Sequence, residues 1–208
     1  EIGKTYAVSF EDIQPTLYDI YSSMDVTAAQ AESMLRRIAR ASVAGNVSMQ
    51  DAGRAIISIM NAYDLKFEDS QHVTDVMFQM VKKGVGTYEE FTSVIGRAIP
   101  QAVGANQSLE SLAGSMAFLT RNGLSTAMAA TAAGRAMELM AKPDVTKNLE
   151  DYGIAVKDAS GNFRPLNDIV TQLAENKGWK DLTGPELAIQ FKKVFGTGTV
   201  QARRFYQT

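Results

Sequence analysis

Cysteine is absent from the 208 residues, and histidine occurs once, as His72. The first absence excludes disulfides, thiol catalysis and thiolate metal sites, and the second excludes sites that need two imidazoles. Long apolar runs are missing too, since the longest uncharged stretch is the 13 residues between Arg121 and Arg135. A membrane-spanning helix needs about 20 apolar residues, so we expect none. We also expect no signal peptide, because the first acidic residues flank no long apolar core.

Neither sign of charge is in large excess. Lys and Arg number 21, Asp and Glu number 23, and the formal net charge is -2. A dedicated nucleic-acid-binding domain needs a basic footprint, so this balance predicts no specific nucleic-acid binding. Hydrophobic residues at 45% and charged residues at 21% predict a folded chain. Because the chain begins at Glu1 rather than Met, we expect it to be a piece of a longer protein.

Helical periodicity is the dominant pattern that is present. Apolar residues recur at i, i+3, i+4 and i+7 in segment after segment, and these stripes place Ile95 and Leu173 in the core. The pattern predicts an all-α fold of short amphipathic helices in antiparallel pairs, arranged as a bundle or a short solenoid. We divide the chain into an N-terminal helical extension (1–26), a helical-hairpin repeat region (27–152) and a C-terminal part (153–208), together forming one continuous module.

Helix ends are marked along the chain. Thr27 with Gln30 and Thr87 with Glu90 have capping-box spacing. Pro100 lies late in its stripe and should kink or shorten that helix. Five glycines fall just after a stripe and predict left-handed C-caps: Gly45, Gly84, Gly104, Gly123 and Gly153.

The predicted helix starts are regularly spaced. Steps of 39 and 38 residues separate Ser48, Thr87 and Ser125, and the same steps separate Asp69, Ser108 and Thr146. This spacing favours about three stacked two-helix units. Helical hairpins of average length would produce it as well, so both interpretations stay open.

The segment from Gly153 to Pro165 departs from the helical pattern. Ile154 and Val156 alternate as in a strand, and turn-forming residues follow, which predicts a small β-hairpin near 153–165. Asp158 also begins an alternation of side-chain oxygens, as a calcium loop would. The sixth and twelfth positions of such a loop hold Phe163 and Ile169 instead of Gly and Glu, so a plain turn is favoured.

Other candidate sites are weak, and we predict no catalytic, cofactor-binding or metal-binding residues. The carboxylate pairs Glu68 with Asp69 and Glu89 with Glu90 lie at predicted helix starts, where acids stabilise the helix dipole. His72 lacks a nucleophile context and is expected at the surface. The G-x-G triplets 84–86 and 196–198 follow helices rather than strands, and so indicate helix-ending loops. Paired cations are explained as solvated helix faces, with weak polyanion contact left open at Arg203 and Arg204.

A resemblance to a known family is carried mainly by one run of residues. The sequence from Gly153 to Ile169, GIAVKDASGNFRPLNDI, is similar to the run G-I-x-V-x-D-x-x-G-x-x-R-P-L-x-D-I of phage tail tape-measure proteins. The likeness covers about residues 27–200, although the family usually has glycine where Asp64 stands and A-G-T where this chain has Ala129-Ala130-Thr131. Shorter similar elements are Asn61–Leu65, Thr87 with Glu90-Phe91, Ser108–Glu110, Asn122–Leu124, Thr131, Pro143 and Phe195-Gly196.

The resemblance implies a virion structural protein that occupies the lumen of a tail tube, sets tail length during assembly in the host cytoplasm and leaves ahead of the DNA. The implied partners are tail-tube, tail-tip or baseplate proteins, assembly chaperones and further copies of the chain, with no small-molecule substrate or cofactor. Because caps and glycines interrupt the helices, we expect a folded module on the tape measure rather than the rod itself. A cellular helical-repeat scaffold is the alternative, and a cell-wall-cutting enzyme is a third hypothesis that would need a carboxylate pair in a cleft.

Overall fold

A computed structural model describes residues 2–195, and these residues form thirteen α-helices and one short 3-10 helix. The all-α prediction is therefore confirmed for this part of the chain. Contacts divide the chain into two compact units, with unit 1 ending at Gly96 and unit 2 beginning at Arg97. The division at residues 26 and 152 stays a prediction.

Unit 1 is built around its fourth helix, which contacts four others. Its helices are α1 (Ile2–Tyr6), α2 (Phe10–Ser23), α3 (Ala28–Gly45), α4 (Met49–Ala62), the 3-10 helix Phe67–Asp69, α5 (Ser70–Lys83) and α6 (Tyr88–Ile95). Helix α4 packs on α2, α3, α5 and α6. Gly53 permits the close approach, because a Cβ there would lie 3.0 Å from Thr16 of α2 and 3.5 Å from Ile38 of α3.

Unit 2 has its ninth helix at the centre of its packing. The helices are α7 (Ile99–Gly104), α8 (Leu109–Arg121), α9 (Thr126–Met140), α10 (Pro143–Asp151), α11 (Leu166–Glu175), α12 (Lys177–Lys180) and α13 (Gly184–Phe195). Helix α9 contacts α7, α8 and α10, and α11 packs on α8. The alanine-rich face of α9 allows a close crossing, since a Cβ at Gly134 would lie 3.2 Å from the Cα of Ala98.

The predicted helix starts are mostly confirmed. Thr27 and Thr87 form complete capping boxes, with Gln30 and Glu90 accepting from the backbone of the cap residue. Ser48, Ser108 and Ser125 are also N-caps. The predicted start at Thr146 is wrong, because Pro143 begins α10 with a backbone angle already suited to a helix. The stacked-pair arrangement stays a prediction.

Two of the five predicted glycine C-caps have a left-handed backbone, Gly123 at φ +89° and Gly153 at φ +76°. At the end of α3 the left-handed residue is Asn46 rather than Gly45, since the helix continues through the glycine. Asn and Asp tolerate this conformation better than other residues that carry a Cβ. Pro100 acts as predicted: the stripe is divided between α6 and α7, and the proline lies in the first turn of α7. Ile95 and Leu173 are buried, as predicted.

Candidate functional site: a clamped turn and exposed helix faces

Residues 153–165 form a tight turn organised by one carboxylate. The Oδ1 atom of Asp158 accepts hydrogen bonds from the amides of Ser160 and Asn162, both at 2.9 Å. Gly161 completes the turn at φ +86°, and its amide donates to the Asp158 carbonyl at 3.0 Å. These bonds, first that from the Asn162 amide, lower the pKa of Asp158 below its usual value. This hydrogen bonding is that of a turn, the interpretation that the sequence favours.

The predicted β-hairpin is not supported. In the described residues the two limbs share a single isolated antiparallel bridge, between Lys157 and Phe163, and form no named strand. The physical reason is competition for the backbone. The next backbone acceptor across the bridge is the Arg164 carbonyl, and the side chain of Gln107 occupies it by donating from Nε2 at 2.8 Å. The Leu166 amide, the next donor of the same limb, bonds Oε1 of Gln107 at 3.0 Å instead of the opposite limb. Gln172 bonds the outward-facing amide and carbonyl of Ala155, at 2.9 Å and 3.2 Å.

A buried glutamine fastens the base of the turn to α8. Gln107 donates from Nε2 to the Arg164 carbonyl at 2.8 Å. Its Oε1 accepts from the Leu166 amide at 3.0 Å and from the Ser111 hydroxyl at 2.7 Å. The Leu166 amide begins α11, where backbone donors lack helical partners, so Gln107 supplies a cap from a distant part of the chain.

Two asparagines extend this polar clamp within unit 2. Ser115 of α8 donates to Oδ1 of Asn167 at 3.2 Å, and Asn176 donates to the Tyr152 carbonyl at 2.8 Å. Buried polar groups stabilise a unique arrangement only when they are bonded, as these are. The clamp therefore joins the base of the turn to α8 and to the start of α11.

Apolar residues close the inner side of the turn. Ile154, Val156 and Leu166 are buried, which explains the strand-like alternation in the sequence. The single tryptophan, Trp179, is also buried and makes edge-to-face contacts with the rings of Tyr152 at 6.0 Å and Phe195 at 6.4 Å.

The residues that carry the family resemblance have structural roles in this turn. Gly153 and Gly161 supply left-handed backbone, and Asp158 organises the amides. The outer side presents Lys157, whose ammonium lies 5.1 Å from the centre of the Phe163 ring.

The carboxylate pairs lie at helix starts and His72 lies at the surface, as the sequence predicts. Asp69 accepts from the Lys66 amide at 2.9 Å and Glu90 from the Thr87 amide at 2.8 Å, so both act as caps. His72 is exposed on α5. The triplet 84–86 is a loop after α5, whereas residues 196–198 and the cations Arg203 and Arg204 lie outside the described residues.

Metal ligands and membrane spans were also sought within residues 2–195. No group of three or more His, Asp or Glu side chains there could hold a metal ion. No helix in this range combines the length and the apolar character needed to cross a bilayer.

Among the described helices, the most exposed large apolar side chains lie on α2 and α13. On α2, Phe10 is 74% exposed, Tyr18 71% and Tyr21 49%. On α13, Ile189 is 70% exposed, and Lys192 and Lys193 are exposed beside it.

Unit 1 also has an open polar cleft of about 370 Å³ beside the ends of α2 and α4. Its walls include Asp25, Asn61, Lys66 and Glu68, so charges of both signs face it. This mixture favours no single ligand class.

Sequence reasoning missed the clamp residues. Gln107 and Gln172 contact backbone far from them in the chain, and a glutamine in a polar stretch gives no local signal of this. Arg37 belongs, with Arg36, to the paired cations that the sequence assigns to solvated helix faces. In the structure it donates to the Ser70 hydroxyl and lies 4.8 Å from the centre of the Phe67 ring. It thus connects α3 with the 3-10 helix and α5.

Comparison with known proteins gives consistent matches. A family model described as phage-related minor tail protein matches residues 1–196. The tape measure protein of Pneumococcus phage Dp-1 is 26% identical over 124 residues, which cover 59% of this chain and 11% of that protein. The probable tape measure protein of Escherichia phage P2 is 22% identical over 174 residues, or 83% of this chain and 21% of that protein.

A third similar protein is the probable tape measure protein of Clostridium phage phiCD119, 27% identical over 118 residues, which cover 55% of this chain and 12% of that protein. The chain thus spans between 11% and 21% of the length of these relatives. No solved structure gives a significant match.

Proposed function

Since the chain belongs to the family of phage-related minor tail proteins, we propose that it is a compact module of a tape-measure protein inside the tail tube. The match over residues 1–196 is the observation that carries this proposal. The fold supports the modular part: α3, with 18 residues, is the longest helix of the described range, and caps separate the helices. A continuous ruler would need long uninterrupted heptads.

In this role the module contributes to tail length during assembly in the host cytoplasm, and it leaves the tube when DNA is ejected. Its partners are tail-tube subunits, tail-tip or baseplate proteins, assembly chaperones and other copies of itself. The role needs binding surfaces and no catalysis. The clamped turn of unit 2 supports it, because an exposed turn joined at its base to α8 and to the start of α11 offers a surface for recognition at little cost in ordering.

Antibody labelling of phage particles tests the location. Antibodies raised against the 208-residue chain should fail to label intact tails and should bind material released on ejection. An antibody to a tail-tube surface epitope is the matched control and should label intact tails. Labelling along the outside of intact tails by the first antibody would reject the lumen location.

Tail length tests the second part of the proposal. A straight α-helix of this many residues would span about 310 Å, whereas a compact module adds much less. We expect an in-frame duplication of the segment to lengthen the tail by clearly less than 310 Å in electron micrographs. An unchanged tail length would contradict a role in setting length, and an increase of about 310 Å would contradict the compact form.

A further inference from the structure

Helix α2 has an aromatic face that is turned to solvent. Phe10, Tyr18 and Tyr21 lie within roughly 80° of one another about the helix axis. All three are at least 49% exposed, although aromatic side chains of this size are usually buried. The opposite side of α2 holds the buried residues Thr16 and Ile20. The helix therefore has one face packed in the protein and a second, aromatic face exposed to solvent.

The charged residues of α2 itself are all acidic, and one of them, Asp19, pairs with Arg54 of α4. Helix α2 contains three acidic residues and no Lys or Arg, and Glu11 lies beside Tyr18 on the helical wheel. The exposed Glu11 carboxylate is thus available beside the rings to accept a hydrogen bond from a cation.

The exposed side of α13 has the opposite character. Ile189, Lys192 and Lys193 lie within roughly 100° about the axis, while Val194 and Phe195 are buried. Lysine stems cover apolar surface while their ammonium groups reach acceptors or aromatic faces. This face complements the α2 face in both polarity and charge.

We propose that the aromatic face of α2 in one copy docks on the lysine face of α13 in a second copy. The contact joins two different surfaces, so it is heterologous, and copies joined in this way form a closed ring or an open row. Several copies held together fit the lumen of a tube, and in this respect the proposal rests on the proposed function.

Sedimentation velocity on the 208-residue chain tests the contact. We expect concentration-dependent growth beyond a dimer in the micromolar range. Tyr18→Ser with Tyr21→Ser should weaken association at least tenfold, whereas the matched change Val43→Ser on α3 should leave it unchanged. All three side chains are exposed, so circular dichroism should show the same fold.

Charge reversal tests the orientation. Lys192→Glu with Lys193→Glu should weaken self-association, and so should Glu11→Lys, each by several-fold. Mixing the two variants should restore association, because each then meets an opposite charge on both faces. Lys82→Glu with Lys83→Glu, an exposed pair on α5 with the same change in net charge, is the control and should have little effect.

Three outcomes would overturn the proposed interface. The first is a monomer at every concentration, and the second is an equal loss of self-association when Lys82 and Lys83 or Lys192 and Lys193 are reversed. The third is a mixture of the two variants that associates no more tightly than either variant alone. None of them bears on the antibody labelling of particles, which decides the tail location independently.

Discussion

Gln107 and Leu166 are joined by a hydrogen bond of 3.0 Å across 59 residues of sequence. The same side chain bonds the Arg164 carbonyl and the Ser111 hydroxyl, so one buried amide group fastens the turn and the start of α11 to the segment before α8. This long-range contact, rather than strand pairing, holds the 153–165 segment in place.

Replacing Gln107 with Ala should destabilise the protein by about 1–3 kcal/mol, because buried polar groups lose their partners. Chemical denaturation would measure the change. Gln71→Ala is the control, since Gln71 bonds Asp75 on an exposed face of α5, and its cost should stay below about 0.5 kcal/mol. An equal loss of unfolding free energy in the two variants would show that the hydrogen bonds of Gln107 stabilise the protein no more than those of an exposed glutamine.

The Asp158 turn should loosen in acid. Its folded pKa is lowered, so the stability it contributes is present above the unfolded pKa of about 3.9 and is lost as pH falls through the folded pKa. Carbon-detected NMR of the Asp158 carboxyl group should give a midpoint below about 3.9, the value of an unperturbed aspartate. Amide exchange at Asn162 should speed up in Asp158→Ala, and unchanged exchange would mean that the carboxylate does not hold the turn.

Asp64 occupies a position suited to glycine. Its φ is +51°, and the following amide of Leu65 bonds the Met60 carbonyl at 2.8 Å, which closes the end of α4. Asp64→Gly should stabilise the protein by up to about 1 kcal/mol, and Asp64→Val should destabilise it by about 1–2 kcal/mol. Thermal melting of both variants would test this order of stability. A valine variant more stable than the glycine variant would contradict the positive φ of residue 64.

Tyr88 is buried, and within the described residues its hydroxyl has no hydrogen-bond partner. Burial raises its pKa to about 12. Tyr88→Phe should therefore keep or increase stability, whereas Tyr88→Ala should cost about 3–5 kcal/mol through the cavity it leaves beside Phe78 and Gly45. A loss above about 1 kcal/mol in the phenylalanine variant would show that the hydroxyl is bonded.

Local features of this fold follow from the sequence because their physics is local. The capping boxes at Thr27 and Thr87 need only residues three positions apart, and they form as predicted. The glycine C-caps were harder to predict, because a helix can continue past the glycine. Helix α3 does so and ends at Asn46. The family usually has glycine where Asp64 stands, and the positive φ of Asp64 gives that preference a physical reason.

The clamped turn illustrates what could not be predicted. Ile154 and Val156 are both buried in the 153–165 segment. A half-buried β-strand would give the same alternation in the sequence, so the pattern does not distinguish the two structures. Only the fold brings Gln107 to the Arg164 carbonyl and the Leu166 amide, which a longer ladder would have to use. Likewise, periodicity places the apolar face of α2 but does not reveal that three aromatic residues remain outside.

The central claim is that this segment of a tail protein folds into short helices in two compact units and not into a continuous helical rod, and small-angle X-ray scattering extrapolated to zero concentration tests it most directly. Two compact units, each with a radius of gyration of about 13 Å, should give a value for the whole chain below about 30 Å. A straight helical rod of about 310 Å would have a radius of gyration of about 90 Å, and a value near that figure would contradict the account.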